Sequence, residues 1–269
     1  MRKLLLIYLI INVNGLFGQN SVIIGGRQNG MAGAGSLIAD VWSVKNNPGA
    51  FGFFEGLEVG LQYQDRFLLS ELASKNLGFG QELKSGNFGI YLQQTGFELF
   101  KQIQAGGGYS LKLSKRMAMG VNINYHLLQL GDIYGSKHNV SAGLGIAYFV
   151  KDDLMLGASI ININRAKLFN QPDERLPTYF IFGLKYQLSA KTLILIDLEK
   201  ELALPLNLKT GVEVKANEMF NLRLGVNTYP FRTAFGTGIK IKKLTIDLAA
   251  VWHAQIGLSP TLGMVYQFK

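Results

Sequence analysis

The 269-residue chain has no cysteine and only three histidines. The lack of cysteine excludes a disulfide framework, a thiolate metal site and a lipidated cysteine behind a leader sequence. Three histidines argue against a metal site built from several imidazole ligands. The sequence therefore predicts neither a bound metal nor a cofactor.

The chain also lacks long apolar runs beyond its N-terminus, although 48% of its residues are hydrophobic. That content is too low for a bundle of transmembrane helices. The formal net charge of +9 would permit binding to nucleic acid or to anionic surfaces. However, the lysines and arginines are scattered over predicted turns and form no basic helix, so we expect no nucleic-acid partner.

Residues 1–18 have the pattern of a secretory signal peptide. A basic start at Arg2 and Lys3 precedes an apolar run of about ten residues, which is too short to span a membrane comfortably as a helix. Gly18 supplies a small residue before Gln19, and we expect cleavage between them.

From Leu57 onward the chain alternates between large apolar residues and small or polar ones. In Met117–Leu127, for example, every second residue is large and apolar, and most of the residues between them are glycine, alanine or asparagine. A soluble sandwich would carry a charge-rich second face, whereas this alternation is typical of a membrane barrel. We therefore predict an all-β fold for residues 57–269: an antiparallel transmembrane β-barrel of about fourteen strands. The alternation is weakest in a second strand near Leu72–Phe79 and at the strand edges near Phe97–Gln102.

The inward face of the predicted wall is rich in glycine, which often marks the close approach of another backbone. Residues 19–56 do not alternate, and we predict that they form a hatch in the lumen, with a short helix at Met31–Ala39. The glycine-rich run in this stretch is not a dinucleotide loop, because no buried strand precedes it and no long helix follows it.

The same stretch resembles the N-terminal signature of the FadL-like outer-membrane barrels, and most closely that of the PorV/PorQ branch associated with type IX secretion. The resemblance rests on a small-residue run at Gly30–Gly35, an acidic position, an aromatic residue and an Asn-Pro turn. It implies a fourteen-stranded barrel whose N-terminal segment folds into the lumen. A single Asp40 replaces the acidic pair of that branch. The predicted hatch residues are Gly30, Gly33, Gly35, Asp40, Trp42, Asn46, Asn47 and Pro48.

Charged and histidine side chains that point inward gather late in the sequence. Glu213 and Arg223 become diagonal neighbours if a tight turn joins their strands, and Lys240 and Asp247 are related in the same way. Asp197 and Glu199 also point inward. Such a cluster forms either a polar path or hatch-binding site, or a set of charges that neutralise each other in a closed lumen. The predicted lumen cluster is His126, Lys209, Glu213, Arg223, Lys240, Asp247 and His253.

The sequence contains no catalytic arrangement that we can identify. It has no Gly-x-Ser-x-Gly nucleophile motif, and both His126 and His253 are predicted to face the lumen rather than the membrane surface. We therefore predict that the protein is not an enzyme.

These patterns lead to two functional hypotheses for a protein of the Gram-negative outer membrane. The first is a non-enzymatic accessory or structural subunit of an outer-membrane secretion or assembly complex, as the PorV/PorQ resemblance implies. The alternative is a FadL-like channel for the uptake of hydrophobic small molecules. Expected partners are outer-membrane lipid or lipopolysaccharide and, for the first hypothesis, a larger outer-membrane protein.

Overall fold

The computed structural model describes residues 23–131, 135–167 and 175–268. The predicted signal peptide, residues 1–18, lies outside the described residues. Within them, fourteen antiparallel strands form a closed barrel in which each strand pairs with its neighbours in sequence and β1 pairs with β14. The strands are β1 (Leu57–Gln64), β2 (Ser74–Leu83), β3 (Gly86–Phe97), β4 (Phe100–Lys112), β5 (Met117–Leu130), β6 (Ser136–Lys151), β7 (Leu154–Ile161), β8 (Tyr179–Ser189), β9 (Thr192–Glu201), β10 (Asn207–Lys215), β11 (Phe220–Thr228), β12 (Phe231–Ile241), β13 (Leu244–His253) and β14 (Gly257–Gln267).

The barrel closes through a regular antiparallel ladder between its first and last strands. Val59 of β1 pairs with Tyr266 of β14 on one side and with Phe79 of β2 on the other. Closure gives every strand two hydrogen-bonding neighbours, which a sheet in lipid requires because an unpaired backbone group there costs several kcal/mol. The prediction of a closed antiparallel barrel of about fourteen strands is confirmed.

The outer surface of the barrel is apolar over most of its circumference. Large side chains on widely separated strands are strongly exposed, including Ile123 at 63%, Phe182 at 60% and Leu224 at 66%. The alternate residues of the same strands point inward and are mostly small or polar. Trp252 and Tyr63 also face outward and are 46% and 41% exposed. This outer face is suited to contact with lipid acyl chains.

Residues 23–56, called the N-terminal segment below, lie inside the barrel. They form three single-turn helices, α1 (Gly26–Asn29), α2 (Ser43–Asn46) and α3 (Pro48–Phe51), and nearly all of their side chains are buried. α1 lies against β12, β13 and β14, whereas α3 lies against β4 to β7. The segment therefore crosses the lumen from one wall to the other. No helix among the described residues is long and apolar enough to cross a membrane.

Two local predictions differ from the structure. The predicted helix at Met31–Ala39 is wrong, because Ala32, Gly33 and Gly35 adopt positive φ angles of 54°, 83° and 155°, which a right-handed helix excludes. The second strand begins at Ser74 and continues to Leu83, beyond the predicted end at Phe79. Its last residues are mostly polar and are held by ladder pairing with β3 rather than by an apolar pattern.

The two ends of the barrel differ in their connections. At the turn end, short polar turns join β4 to β5 and β12 to β13. At the loop end, the connections include two short 3-10 helices, Arg66–Leu68 and Ser70–Leu72, between β1 and β2. In outer-membrane barrels the tight turns face the periplasm and the longer loops face outward. The few register shifts of the ladder lie at the turn end, beside Phe149 and Gln187.

Candidate functional site

Aromatic rings hold one side of the N-terminal segment against β1, β2 and β3. Trp42 is 2% exposed, and Phe51 and Phe54 are 0% and 1% exposed. The rings lie directly over wall glycines: a Cβ on Gly60 would come within 2.6 Å of the Trp42 ring, and one on Gly89 within 2.8 Å of the Phe51 ring. These wall positions therefore accept only glycine while the rings remain in place.

The backbone of the segment also touches the backbone of the wall. A Cβ on Gly225 would overlap the main chain of Met31, and one on Gly49 would overlap the main chain of Ile146. Gly30 and Gly236 are also close, since a Cβ on Gly30 would lie 3.2 Å from the Gly236 Cα. Such contacts cannot be relieved by a rotamer change, so they fix the depth of the segment in the lumen.

A chain of ion pairs joins the segment to β10, β11 and β13. Arg27 donates from Nε to Glu213 at 2.9 Å and forms a second, shorter bond to the same carboxylate. Arg223 donates from Nε to Glu213 and from an Nη to Asp247, both at 2.6 Å. The side chains of Arg223, Asp247 and Glu213 are 2%, 6% and 11% exposed. These charge-assisted bonds are the strong class of protein hydrogen bonds.

Asp197 on β9 forms a third attachment. Its carboxylate accepts hydrogen bonds from the backbone N–H groups of Gly35 and Ser36, at 2.8 and 2.9 Å, and from the Ser36 hydroxyl at 2.6 Å. Sequence reasoning identified Asp197 as an inward charge but did not include it in the cluster, and it missed Arg27 and Ser36 altogether. Their partners lie more than 150 residues away, beyond the reach of a local pattern.

The predicted hatch residues also stabilise the segment internally. Asn46 exchanges two hydrogen bonds with the backbone of Ile24, at 2.9 and 2.7 Å. Asn47 caps α3 by accepting from the Gly49 N–H, with Pro48 at the first helical position, where proline is favoured. Asn46, Asn47 and Pro48 therefore form one buried turn.

Asp40 accepts hydrogen bonds from the Gln28 side chain at 2.8 Å and from the Trp42 N–H at 3.0 Å. Burial raises the pKa of the Asp40 carboxyl to about 6, although these bonds and the charge of Arg27 act in the opposite direction. Asp40 thus links the part of the segment near α1 to the part that carries Trp42.

The residues of the predicted lumen cluster do not all lie together. Glu213, Arg223 and Asp247 lie together, whereas Lys209 pairs with Glu199 at 2.6 Å nearer the loop end. His126 contacts the Ser141 hydroxyl at 2.8 Å, and His253 lies at the loop end of β13. The register places Lys240 diagonal to Asp247, as predicted, because Lys240 pairs with Thr245. Lys240 is exposed at the turn end, however, and Asp247 bonds to Arg223. Glu213 and Arg223 are directly opposite each other rather than diagonal.

A cavity of 590 Å³ lies between the segment and the loop end. Lys45 of the segment forms part of its boundary, and the walls come from β3 to β6, β8 and β9 and from the connection after β7. The Tyr91 hydroxyl donates to Asn124 at 2.6 Å and accepts from Gln104 at 2.7 Å, while the Lys45 Nζ lies 5.9 Å from the Tyr91 ring centre. Apolar lining residues are Leu128, Ile161, Leu176, Pro177, Tyr179 and Leu204. The lining also includes polar residues on most of these strands and the charged residues Arg66, Arg175 and Glu201, so the cavity combines an apolar surface with many polar groups.

Beside this cavity, the strand pairing between β6 and β7 ends before β6 reaches the loop end. β6 reaches Ser136 at the loop end, but its pairing with β7 stops at Gly143 and Ile161. Beyond that point Asn164 bridges to β6 through the Ala142 N–H at 3.1 Å and the Val140 carbonyl at 2.9 Å. Part of β6 at the loop end is therefore held by a loop side chain rather than by a strand.

The described residues contain no group of three or more His, Cys, Asp or Glu side chains arranged to hold a metal ion. The buried carboxylates of Asp197, Glu199, Glu213 and Asp247 bond to arginine, lysine or backbone N–H groups instead. The chemistry of this interior is therefore that of packing and ion pairing.

A closed antiparallel barrel with an apolar outer face and an occupied, partly polar lumen defines an outer-membrane β-barrel protein. No family model matches the chain, and no curated protein sequence matches it.

Solved structures, in contrast, match over nearly the whole chain. The toluene transporter TodX of P. putida is 14% identical with a TM-score of 0.66, covering 93% of this chain and 99% of TodX. A Pseudomonas aeruginosa FadL homologue is 12% identical with a TM-score of 0.67, covering 93% and 100%. The CymD monoaromatic hydrocarbon channel is 11% identical with a TM-score of 0.68, covering 93% and 98%.

At these identities the likeness concerns the fold. The chain has the fold of the FadL-type barrels of the Gram-negative outer membrane, and the predicted outer-membrane location is confirmed. The three matched proteins are named as a transporter, a FadL homologue and a channel, and none is named as an enzyme.

Proposed function

We propose that the protein is a non-enzymatic outer-membrane channel for the uptake of a hydrophobic small molecule, with the N-terminal segment as its hatch. The observation that carries this proposal is the 590 Å³ cavity. Its size is that of ligand sites in proteins, and it offers apolar surface at Leu128, Ile161 and Leu176 beside its polar and charged lining residues. TodX and CymD, which share the fold, are named for toluene and for monoaromatic hydrocarbons.

The early end of the pairing between β6 and β7 supports a lateral route from the cavity to the lipid-facing surface. A hydrophobic molecule in the cavity lies beside the stretch of β6 that pairs with β5 but has no partner strand on its β7 side, and beyond that stretch is the lipid-facing surface. Passage toward the turn end meets the N-terminal segment instead, which is closely packed there. Uptake across the membrane therefore requires movement either of the segment or of the connection after β7.

The proposal is tested by uptake of labelled toluene into vesicles that contain the purified protein. Leu128 lines the cavity and is 8% exposed, so Leu128→Trp should fill part of it and slow uptake by about tenfold, which corresponds to about 1.4 kcal/mol. Ile123→Trp on the same strand places the same bulk on the lipid face and should leave uptake unchanged. Uptake no faster than in empty vesicles would contradict the proposal.

A second candidate function is the accessory subunit of a secretion or assembly complex, surrounded by outer-membrane lipid or lipopolysaccharide. It is favoured by a depression of 470 Å³ on the outer wall, at β11, β12 and β13. Thr237 and Ala250 leave room there among Leu224, Phe235 and Leu248. An apolar side chain of a larger outer-membrane partner would fit between them.

This second candidate predicts that a larger outer-membrane protein co-purifies from native membranes in mild detergent. Ala250→Trp should fill the depression and abolish co-purification, whereas Ile123→Trp, far from the depression, should not. A barrel that purifies alone and takes up toluene would reject the accessory role.

A further inference from the structure

A chain of hydrogen bonds leads from the N-terminal segment into the cavity of 590 Å³. It begins at the Val44 carbonyl, which accepts from the Asn122 amide nitrogen at 2.9 Å. The Asn122 oxygen accepts from the Asn124 amide nitrogen at 3.1 Å, and the Asn124 oxygen accepts from the Tyr91 hydroxyl at 2.6 Å. The Tyr91 oxygen in turn accepts from the Gln104 Nε2 atom at 2.7 Å. The chain therefore ends at Gln104, which lines the cavity.

The direction of this chain is fixed at its first bond. A backbone carbonyl can only accept, so Asn122 turns its amide nitrogen toward Val44 and its oxygen toward Asn124. The single hydroxyl hydrogen of Tyr91 is used in the bond to Asn124, so Gln104 must donate to the Tyr91 oxygen. The Gln104 Oε1 atom is then left as an acceptor, and it has no hydrogen-bond partner among the described residues.

The neighbours of Gln104 provide both polar and apolar surface. Gln93 of β3 and His126 of β5 lie directly opposite Gln104 in the two ladders, and both line the cavity. Leu128, two residues after His126, lies diagonally across from Gln104 and lines the cavity as well. A row of polar side chains therefore meets an apolar surface at Gln104.

A hydrocarbon and a molecule with a hydroxyl group would differ in their effect on Gln104. Either molecule displaces water from the Gln104 oxygen when it fills the cavity. A hydrocarbon offers no donor, so the oxygen stays unbonded, which costs free energy, whereas a hydroxyl group donates to it. A site that hydrogen-bonds a hydroxyl group rejects the analogue that lacks it far more strongly than an apolar pocket rejects a molecule of slightly different size.

We propose that the cavity prefers a hydrophobic molecule with a hydroxyl group, such as a phenol, to the hydrocarbon of the same shape. The Gln104 Oε1 atom accepts the hydrogen bond from the hydroxyl group, and the hydrophobic part of the molecule lies against Leu128. This inference rests on the proposed channel function and names the class of molecule that the channel takes.

The test is isothermal titration calorimetry on the full-length protein in detergent, with toluene, para-cresol and para-methylanisole as separate probes. All three have a methyl group on a benzene ring. Para-cresol adds a hydroxyl group, and para-methylanisole adds an oxygen that can only accept. Each affinity is taken relative to the partition of the compound into protein-free micelles. On this scale para-cresol should bind about tenfold more tightly than either of the other two, because it alone can donate to Gln104.

Gln104→Leu removes the acceptor and should weaken the binding of para-cresol by about tenfold, with toluene unchanged. Tyr91→Phe keeps Gln104 but removes the hydroxyl group that orients its amide, so it should reduce the preference for para-cresol by a smaller factor. The matched control is Gln94→Leu, which makes the same change on the outward-facing side of β3. Folding of each variant is checked by the mobility of unheated samples in gels.

Equal affinities for toluene and para-cresol, or equal weakening of both by folded Gln104→Leu, would overturn the hydroxyl preference and leave the channel function in place. Para-methylanisole that binds as tightly as para-cresol would also overturn it, because a donor would then not be required. Absence of binding by all three compounds would overturn both the preference and the proposed channel function.

Discussion

The two sides of the N-terminal segment are attached to the wall in different ways. Toward β1, β2 and β3 the contact is made by the rings of Trp42, Phe51 and Phe54 on glycines. Toward β9 to β13 it includes charge-assisted bonds from Arg27 and Ser36, beside an apolar cluster of Met31, Ala34 and Ile38 with Leu193 and Leu195. Apolar burial is non-directional, whereas bonds to carboxylates fix position and angle. The carboxylate bonds therefore set the register of the segment.

On the charged side, Glu213 would keep a partner if Arg27 withdrew, whereas the buried carboxylate of Asp197 would lose its three bonds from Gly35 and Ser36. Glu213 accepts from Arg27 of the segment and from Arg223 of the wall. If Arg27 withdraws, Glu213 keeps Arg223, and Arg223 keeps Asp247. The Arg27 side chain is 32% exposed, so water can reach it.

The largest loss of stability on the charged side is expected from a change at Arg223. Arg223→Met leaves the buried carboxylates of Glu213 and Asp247 without their shared partner, and we expect a loss of about 3–5 kcal/mol in the free energy of unfolding. Arg27→Gln should cost far less, because Glu213 keeps its bond to Arg223. Urea unfolding in detergent measures both, with Arg116→Met at an exposed turn as the control. Equal losses for Arg223→Met and Arg27→Gln would contradict this division of roles.

Disturbing the backbone contact between the segment and β11 should cause the next largest loss of stability. Gly225→Ala drives a methyl group into the main chain of Met31, and such overpacking costs about 1–3 kcal/mol. The expected result is a displaced segment and increased ion conductance in planar bilayers. Gly107→Ala is the control, because a Cβ there meets only ordinary contacts at 3.5 Å. Unchanged conductance in both variants would count against a close fit at Gly225.

The smallest expected effect is the change in folding stability with pH that the Asp40 carboxyl causes. Its pKa is raised from 3.8 to about 6 in the folded protein, so between these values the folded state holds a proton that the unfolded state has lost. Stability should therefore rise as the pH falls from 7 to 4. Asp40→Asn mimics the protonated form and should stabilise the protein by about 1–2 kcal/mol at pH 7.5, after allowance for partial exposure.

The stabilisation by Asp40→Asn should vanish near pH 4, where the wild-type carboxyl is largely protonated. The Gln28 Oε1 atom is buried and has no partner among the described residues, so it can accept a hydrogen bond from the amide that the substitution introduces. Trp42 fluorescence during urea unfolding reports the change, and Asp152→Asn at an exposed turn is the control. A destabilised Asp40→Asn variant at pH 7.5 would reverse the sign of this prediction.

The wall could be predicted from the sequence because its signal is local. Alternation within each strand, as in Met117–Leu127, fixes which side chains face outward, and closure follows from the lipid environment. The interior could be predicted only in part. The glycines of the wall indicated that something packs on them, but Arg27 and Glu213 are separated by 186 residues. Their pairing depends on the position of the segment along the barrel axis. No periodic pattern in the sequence specifies that position.

The predictions that differ from the structure also concern contacts between residues that are distant in the sequence. The helix predicted at Met31–Ala39 does not form, because the path of this stretch is set by bonds from Gly35 and Ser36 to Asp197. Turn geometry correctly placed Lys240 diagonal to Asp247, but it could not show that Lys240 is exposed. Asp247 bonds instead to Arg223, which lies on a nearby strand and is far less exposed.

The position of the N-terminal segment in the lumen, attached to β9, can be tested directly with a pair of cysteines. The chain has no natural cysteine, so Ser36→Cys and Asp197→Cys can be combined without background. Their side chains are in contact at 2.6 Å, and oxidation of the protein in membranes should join them nearly completely. Ser36→Cys with Leu198→Cys, whose side chain faces lipid, should give no crosslink. A folded barrel in which the Ser36–Asp197 pair fails to crosslink would contradict the account.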